Sequence, residues 1–290
     1  MSTSKDKIIK NICTALNCSE AEVSTPEPMP GGLSNDLYKF TAPGGTYVYR
    51  DPGSGINEFV DRTNEMFCNE LGAEKGFDST MVYISPDEGW KISHLQDNAR
   101  YPDYKNPEDS KAVADLLRRL HSLPEKTGRR FRPVEMANEL EKKIEKLAPH
   151  SLIQYRELKE SVACCYLETA GDGVEECFCH GDFYGPNILI SDDKIDIIDW
   201  EYAGMADPGI DVGYYIADAG YTVDEAEEFI RLYLGDKADE KKIAHFKTYT
   251  AVIAYFWFIW ALYRKVSGHE VGEFEERWRK AAEQFSQIEL

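Results

Sequence analysis

Cys179-His180-Gly181-Asp182-Phe183-Tyr184-Gly185-Pro186-Asn187-Ile188-Leu189-Ile190 is followed after a short gap by Ile197-Ile198-Asp199-Trp200-Glu201-Tyr202-Ala203-Gly204, and no other part of the chain says as much about its architecture. Asp182, Asn187 and Asp199 are polar points in an otherwise apolar setting. Residues 188–190 and 195–198 read as two short strands joined by a turn over 191–194. A carboxylate and an amide thus flank the first strand, and a second carboxylate ends the other. Oxygen ligands converging in this way suit Mg²⁺, which takes one or two carboxylates and completes its shell with water and substrate phosphates. The separate Asp, five residues before the Asn, can receive a hydroxyl hydrogen bond. Phosphoryl transfer to an alcohol needs that arrangement. Either residue alone could simply shape a turn; the pattern spread over two strands favours chemistry.

Working outward, the 290-residue chain holds enough material for one large or two modest domains. Its 42% hydrophobic and 29% charged content is that of an ordinary globular protein. A net charge of −19 argues against nucleic acid as a partner and is compatible with a cationic substrate. Residues 1–10 lack the apolar core of a signal peptide. The longest apolar run, residues 251–263, is closed by Arg264 and Lys265. It is shorter than the ~20 residues a membrane span needs, so a buried helix is expected there. Without an export signal the seven cysteines are expected reduced, in a cytoplasm. Cys177, Cys179 and His180, with Cys164 and Cys165 upstream, lack the paired Cys-x-x-Cys spacing of a zinc site. Cys177 and Cys179 would share one face of a short strand, as small core residues do.

Two lobes can be traced. Ile8, Ile9, Ile12 and Leu16 recur at helical spacing. After a proline-rich stretch, residues 37–41 and 46–50 form a hairpin around Pro43-Gly44-Gly45. A helix is expected over 57–71 and strands over 81–85 and 90–94. The polar run 96–107 has no periodicity and marks the boundary, giving lobes of 1–97 and 98–290. Beyond it the chain is mostly helical, over 108–121, 136–147, 152–169, 223–234, 240–265 and 273–287. No Walker-type Gly-x-x-x-x-Gly-Lys-Ser/Thr occurs, so a P-loop fold is not expected. A glycine-bearing turn, Gly31-Gly32-Leu33-Ser34-Asn35, lies just ahead of the first strand of the hairpin, and a basic residue, Arg50, ends the second.

These motifs resemble the kinase-like phosphotransferases of small molecules, the group that holds aminoglycoside phosphotransferases and choline or ethanolamine kinases. The resemblance runs from Gly31 to about Trp260 and is most specific between His180 and Asp211. It implies an α+β, two-lobed protein-kinase-like fold with a small β-rich N-terminal lobe, a larger helical C-terminal lobe, and ATP between them. It gives Asp182 the catalytic role, makes Asn187 and Asp199 ligands of Mg²⁺, and makes Asp211 a support beneath the loop. Gly31 to Asn35 would cover the ATP phosphates. Arg50 would touch them, oriented by Glu65, with Arg62 as a second phosphate contact.

Trp200-Glu201-Tyr202-Ala203-Gly204 is similar to the run that choline and ethanolamine kinases carry at this place, whereas His180-Gly181-Asp182 has the form usual in aminoglycoside phosphotransferases. Choline's quaternary ammonium donates no hydrogen bond, so its recognition needs aromatic faces and nearby carboxylates. Trp257 and Trp260 share a helix face three residues apart and match the family's choline pocket. Glu201, Asp218 and Tyr221 are further substrate-binding candidates, with Phe274 and Trp278 behind them. The resemblance thus implies phosphorylation of an amino alcohol, choline first. Ethanolamine or an aminoglycoside remains as an alternative acceptor, and a catalytically silent binding module as an alternative of another class.

Overall fold

The computed structural model describes residues 4–30, 35–52, 60–192 and 194–288. The chain divides into two compact units, Met1–Arg100 with Leu189–Tyr202, and Tyr101–Ile188 with Ala203–Leu290. The boundary falls three residues beyond the expected 97/98. The segment Leu189–Tyr202 returns to the first unit, where a division at one point of the chain put it in the second. Backbone and side-chain bonds hold it there: Ile197 donates its N–H to the Phe77 carbonyl at 2.7 Å, and Asp196 accepts from Ser79 N at 2.7 Å.

The first unit contains helix α1 (Lys5–Leu16), strands β1 (Glu27–Met29), β2 (Asn35–Ala42) and β3 (Gly45–Pro52), helix α2 (Arg62–Glu74), and strands β4 (Met81–Ile84) and β5 (Lys91–His94). The strands form one antiparallel sheet in the order β1-β2-β3-β5-β4. In the β2–β3 hairpin Tyr38 faces Tyr49 and Phe40 faces Tyr47. With Ile8, Ile12, Trp90 and Ile92 they make a core between α1 and one face of the sheet. Side chains alternate along a strand, so Arg50 leaves β3 on the face opposite Tyr49. Helix α2 begins at Arg62, not at 57, because the Asp61 carboxylate caps it by accepting the Thr63 and Asn64 N–H groups at 3.0 and 3.1 Å. Residues 57–59 of the expected helix lie outside the described residues.

The second unit holds α3 (Pro107–His121), α4 (Pro133–Leu147), α5 (Arg156–Thr169) and β6 (Cys177–Cys179). Next comes a two-stranded ribbon of β7 (Ile188–Ile190) and β8 (Ile195–Ile197), most of which belongs to the first unit. The second unit then resumes with β9 (Gly204–Ala206), which pairs with β6, and with α6 (Gly209–Ala219), α7 (Val223–Leu234), α8 (Glu240–Val266) and α9 (Phe274–Phe285). Helix α8 is the hub. Nineteen of its residues are buried, from Ile243 to Arg264, and α4, α5, α6, α7 and α9 all pack on it. Among the described residues no helix is long and apolar enough to cross a membrane. Helix α6 was not expected, whereas the other helices lie within a few residues of the sequence reading.

A buried ion cluster ties α8 to two loops. His245 is 3% exposed; its Nδ1 lies 2.5 Å from Asp172 and its Nε2 2.9 Å from Asp207. Burial alone would lower the imidazole pKa, but the bonds to Asp207 and Asp172 outweigh it and raise the pKa above the ordinary value. A raised folded-state pKa contributes stability that is complete below the unfolded value, about 6.5, and is lost as pH rises through the folded pKa. The melting temperature should therefore fall as pH rises above about 6.5. His245→Gln should flatten that part of the profile. An equally steep decline in the variant would place the titrating group elsewhere.

Candidate active site

In the second unit β6 runs into the loop His180–Tyr184 and a 3₁₀ turn, Gly185–Asn187. Gly181 adopts φ +82°, a left-handed conformation that glycine takes without a steric penalty. Asp211, in the first turn of α6, is fully buried and accepts the N–H of His180 at 2.7 Å and of Gly181 at 2.8 Å. Its Oδ2 also meets His121 Nε2 at 3.0 Å. A buried carboxylate bonded in this way fixes the loop backbone, which leaves Asp182 partly exposed at its tip. Asn187 donates Nδ2 to the Asp182 carbonyl at 2.9 Å and to its Oδ2 at 2.8 Å. With Nδ2 spent on Asp182, the Asn187 Oδ1 is the acceptor end left for a cation.

A second group of charges lies in the first unit. Arg50, 5% exposed, is bonded to Glu65 on α2 and to Asp199, and its Nη1 lies 3.2 Å from Glu201. Glu65 also pairs with Arg62, one turn back on the helix. Burial opposes the Arg50 charge, but the three carboxylates outweigh it and hold its pKa above the ordinary value. Two guanidinium groups face three carboxylates, a net of −1 in a buried place. Glu201 registers that excess: burial and then Asp199 push its carboxyl up to about 7, against the pull of Arg50. One oxygen from each of Glu65, Asp199 and Glu201 lies within 4.8 Å of the other two. This all-oxygen, net-negative set fits a hard divalent cation. Asp199 itself has φ +69°, left-handed and uncommon outside glycine. The next residue anchors it: Trp200 is fully buried, donates Nε1 to the Ile197 carbonyl at 3.0 Å, and lies against Gly72 of α2, where an added Cβ would come within 2.8 Å of the ring.

Of the expected site residues, four lie outside the described part of the chain, and others have partners that the sequence reading did not give them. Gly31, Gly32, Leu33 and Ser34 lie outside the described residues, and Asn35 is the first residue of β2, opposite Pro52. Glu201, expected against substrate, belongs to the Arg50 cluster, because the 3₁₀ turn Trp200–Tyr202 buries it to 2% exposure beside the guanidinium. Asp218, expected as a counter-charge for a cation, is already engaged. Arg277 of α9 donates to it at 2.9 Å, the Gly185 N–H donates at 3.1 Å, and the Tyr104 hydroxyl bonds the same carboxylate. Tyr221 sits against Tyr104, Tyr215 and Phe229 and donates its hydroxyl to the Tyr104 carbonyl at 2.6 Å. That places it in the packing of α3, α6 and α7.

Trp257 and Trp260 do lie together, with ring centroids 5.6 Å apart, but only 2% and 5% exposed. Trp257 stacks on Tyr214 at 4.7 Å, Tyr214 on Tyr184 at 5.3 Å, and Phe274 meets Tyr184 edge-on at 6.2 Å. Trp278 packs behind, 5.8 Å from Trp257 and 5.1 Å from Phe274. The face of Trp260 carries the Arg264 guanidinium 5.8 Å from its ring centre. Tyr184 and Tyr214 escaped the sequence reading, although Tyr184 stands only two residues after Asp182. Tyr184 donates its backbone N–H to the Asp182 carbonyl at 3.2 Å, so this aromatic column adjoins Asp182; burial chiefly, and then the Asp182 charge, raise the Tyr214 pKa.

A loop thus presents one carboxylate and one amide from a braced backbone, and a buried Arg–Glu pair lies beside the antiparallel sheet. Residues 88–246 match the phosphotransferase enzyme family, and the chain belongs to it. Protein LicA of Haemophilus influenzae is 22% identical over 260 residues, 87% of this chain and 77% of that protein. The crystal structure of choline kinase LicA from Streptococcus pneumoniae has a TM-score of 0.80 at 24% identity, covering 98% of this chain and 99% of that one. A structure of LicA in complex with AMP matches with a TM-score of 0.79 at 25% identity, over the same shares. The fold is the protein-kinase-like α+β fold, an antiparallel sheet first and a mostly helical unit after it.

Proposed function

We propose that this phosphotransferase moves the γ-phosphoryl group of ATP to the hydroxyl of choline, giving ADP and phosphocholine. The aromatic column Tyr184–Tyr214–Trp257 beside Asp182 carries the reading, because its neighbouring acid, Asp218, is already bonded to Arg277, Tyr104 and Gly185. A primary ammonium needs hydrogen-bond acceptors, whereas a quaternary ammonium needs aromatic faces. The choline kinase LicA and the AMP complex among similar structures support the acceptor and the nucleotide.

Asp182 would orient the choline hydroxyl and take its proton late, since phosphoryl transfer passes through a loose transition state in which positioning supplies most of the rate. Asn187 Oδ1 and Asp199 would hold Mg²⁺, with Glu65 and Glu201 setting the charge around it. The ion's contribution is to neutralise charge on the β and γ phosphates. Arg50, oriented by Glu65, would bind phosphate oxygens, together with residues 31–35; Arg62 acts by holding Glu65. Asp218 becomes a positioning residue that joins the loop at Gly185 to α9. Trp257, Trp260 and Trp278 back the column, Phe274 is its partly exposed edge, and Tyr184 is buried between Phe274 and Tyr214.

Incubation with Mg-ATP and a panel of choline, ethanolamine and aminoglycosides, read by mass of the product, tests the reaction; phosphocholine is the expected product. Transfer to none of them would support a silent binding module instead. Tyr184→Leu should raise the choline KM about tenfold while leaving the ATP KM near normal, the loss of one cation–π contact of ~1.4 kcal/mol. An unchanged choline KM would remove Tyr184 from the acceptor site.

A further inference from the structure

We propose that Cys177, Cys179 and His121 form a binding site for a thiophilic divalent cation, Zn²⁺ or Cd²⁺, behind the loop that carries Asp182. The two sulfurs belong to one strand, β6, at positions i and i+2, and project from the same face. Their Sγ atoms lie 3.6 Å apart. Two thiolates bound to a tetrahedral zinc at about 2.3 Å are held about 3.8 Å apart, so the pair already has the bite a metal requires. The third ligand is not His180, the sequence neighbour, but His121 at the end of α3: one nitrogen of its ring and the two sulfurs all lie within 4.8 Å of one another.

His121 is held at both ring nitrogens. Its Nε2 meets the Asp211 carboxylate at 3.0 Å and its Nδ1 meets the Tyr233 hydroxyl at 2.8 Å. A carboxylate on one ring nitrogen fixes the proton there and leaves the lone pair on the other, as metal-bound histidines are commonly arranged. A cation at Nδ1 would displace the Tyr233 hydroxyl and keep the bond to Asp211. Cys179 is fully buried, whereas Cys177 is partly exposed and gives the route in, with a water as fourth ligand. Both thiols lose their protons on binding, so affinity should rise with pH.

The site reaches the loop twice, through Cys179, which runs directly into His180, and through Asp211. Asp211 holds the His180 and Gly181 N–H groups and His121 at the same time. A cation on His121 draws on that carboxylate and competes with the bonds that brace Asp182. Occupancy is therefore expected to inhibit phosphoryl transfer. The binding itself stands independently of the choline reading.

The test uses the full chain carrying Cys13→Ser, Cys18→Ser and Cys164→Ser, which leaves Cys68, Cys165, Cys177 and Cys179. Cd²⁺ is titrated into the reduced, metal-free protein and followed by the thiolate-to-cadmium charge-transfer band in the ultraviolet. Turnover is measured in parallel at excess Mg²⁺. One equivalent should bind and suppress turnover at least about tenfold, and Cys177→Ala should abolish both effects while keeping the basal rate. A charge-transfer band that survives in Cys177→Ala, or no saturable binding, overturns the site. Binding at full turnover overturns the link through Asp211. Loss of binding in Cys177→Ala with inhibition retained would assign the inhibition to the Mg²⁺ residues and overturn that link as well.

Discussion

Asp182→Asn is expected to lower turnover by on the order of a thousandfold while the protein melts within a few degrees of wild type. Asparagine has the shape of aspartate and can still accept the Asn187 amide, so the 2.8 Å contact and the loop survive. It cannot take a proton from an alcohol, and general-base positioning contributes about a hundred- to ten-thousandfold. The loop backbone is held by Asp211 rather than by Asp182, which separates chemistry from folding. More than a tenth of wild-type activity at saturating substrate would remove Asp182 from the catalytic role.

Asp199→Asn is expected to cost a similar factor, with a different signature. Asparagine tolerates the left-handed conformation at φ +69°, so the backbone should persist. The substitution takes the cluster of Arg50, Arg62, Glu65, Asp199 and Glu201 from a net of −1 to neutrality. The melting temperature of the metal-free protein should therefore not fall. The Mg²⁺ concentration for half-maximal rate should rise steeply, because a carboxylate ligand and its charge are lost together. Titration of Mg²⁺ at saturating ATP separates the cases. An unchanged Mg²⁺ requirement would mean that Asp199 serves only to hold Arg50.

The parts of the molecule that follow local rules were legible in the sequence. The β2–β3 hairpin shows alternating aromatic residues around a Pro-Gly turn, and α3, α7 and α9 show one apolar stripe each. Arg50 and Glu65 were legible as a pair because one ends a strand and the other sits on the next helix. Asp182, Asn187 and Asp199 stood out as charges and an amide in an apolar run, where burial without a purpose is costly. Helix α6 was hidden for a physical reason. It is buried on all sides from Gly209 to Asp218, so no polar stripe marks it. Its two glycines suggest a break but instead permit close packing: a Cβ on Gly213 would meet Thr250 and Ile253 of α8 at 2.9 Å, and one on Gly209 would meet the Tyr249 ring at 2.6 Å. The charges at Glu201 and Asp218 misled because their partners are remote in sequence, Arg50 by 151 positions and Arg277 by 59. Local pattern reports that a carboxylate is present; only the fold reports which cation it is already paired with.

The aromatic column beside Asp182 is proposed to select a quaternary ammonium alcohol. The most direct test of that selection is competition between choline and ethanolamine at equal concentration with limiting Mg-ATP, with an aminoglycoside as a third acceptor and wild-type protein throughout. Choline should be phosphorylated at least about tenfold faster per unit concentration, the scale on which an apolar pocket tells such close analogues apart. A product mixture dominated by phosphoethanolamine or by a phosphorylated aminoglycoside would contradict it, returning Tyr184, Tyr214 and Trp257 to ordinary packing and leaving a phosphotransferase of another acceptor.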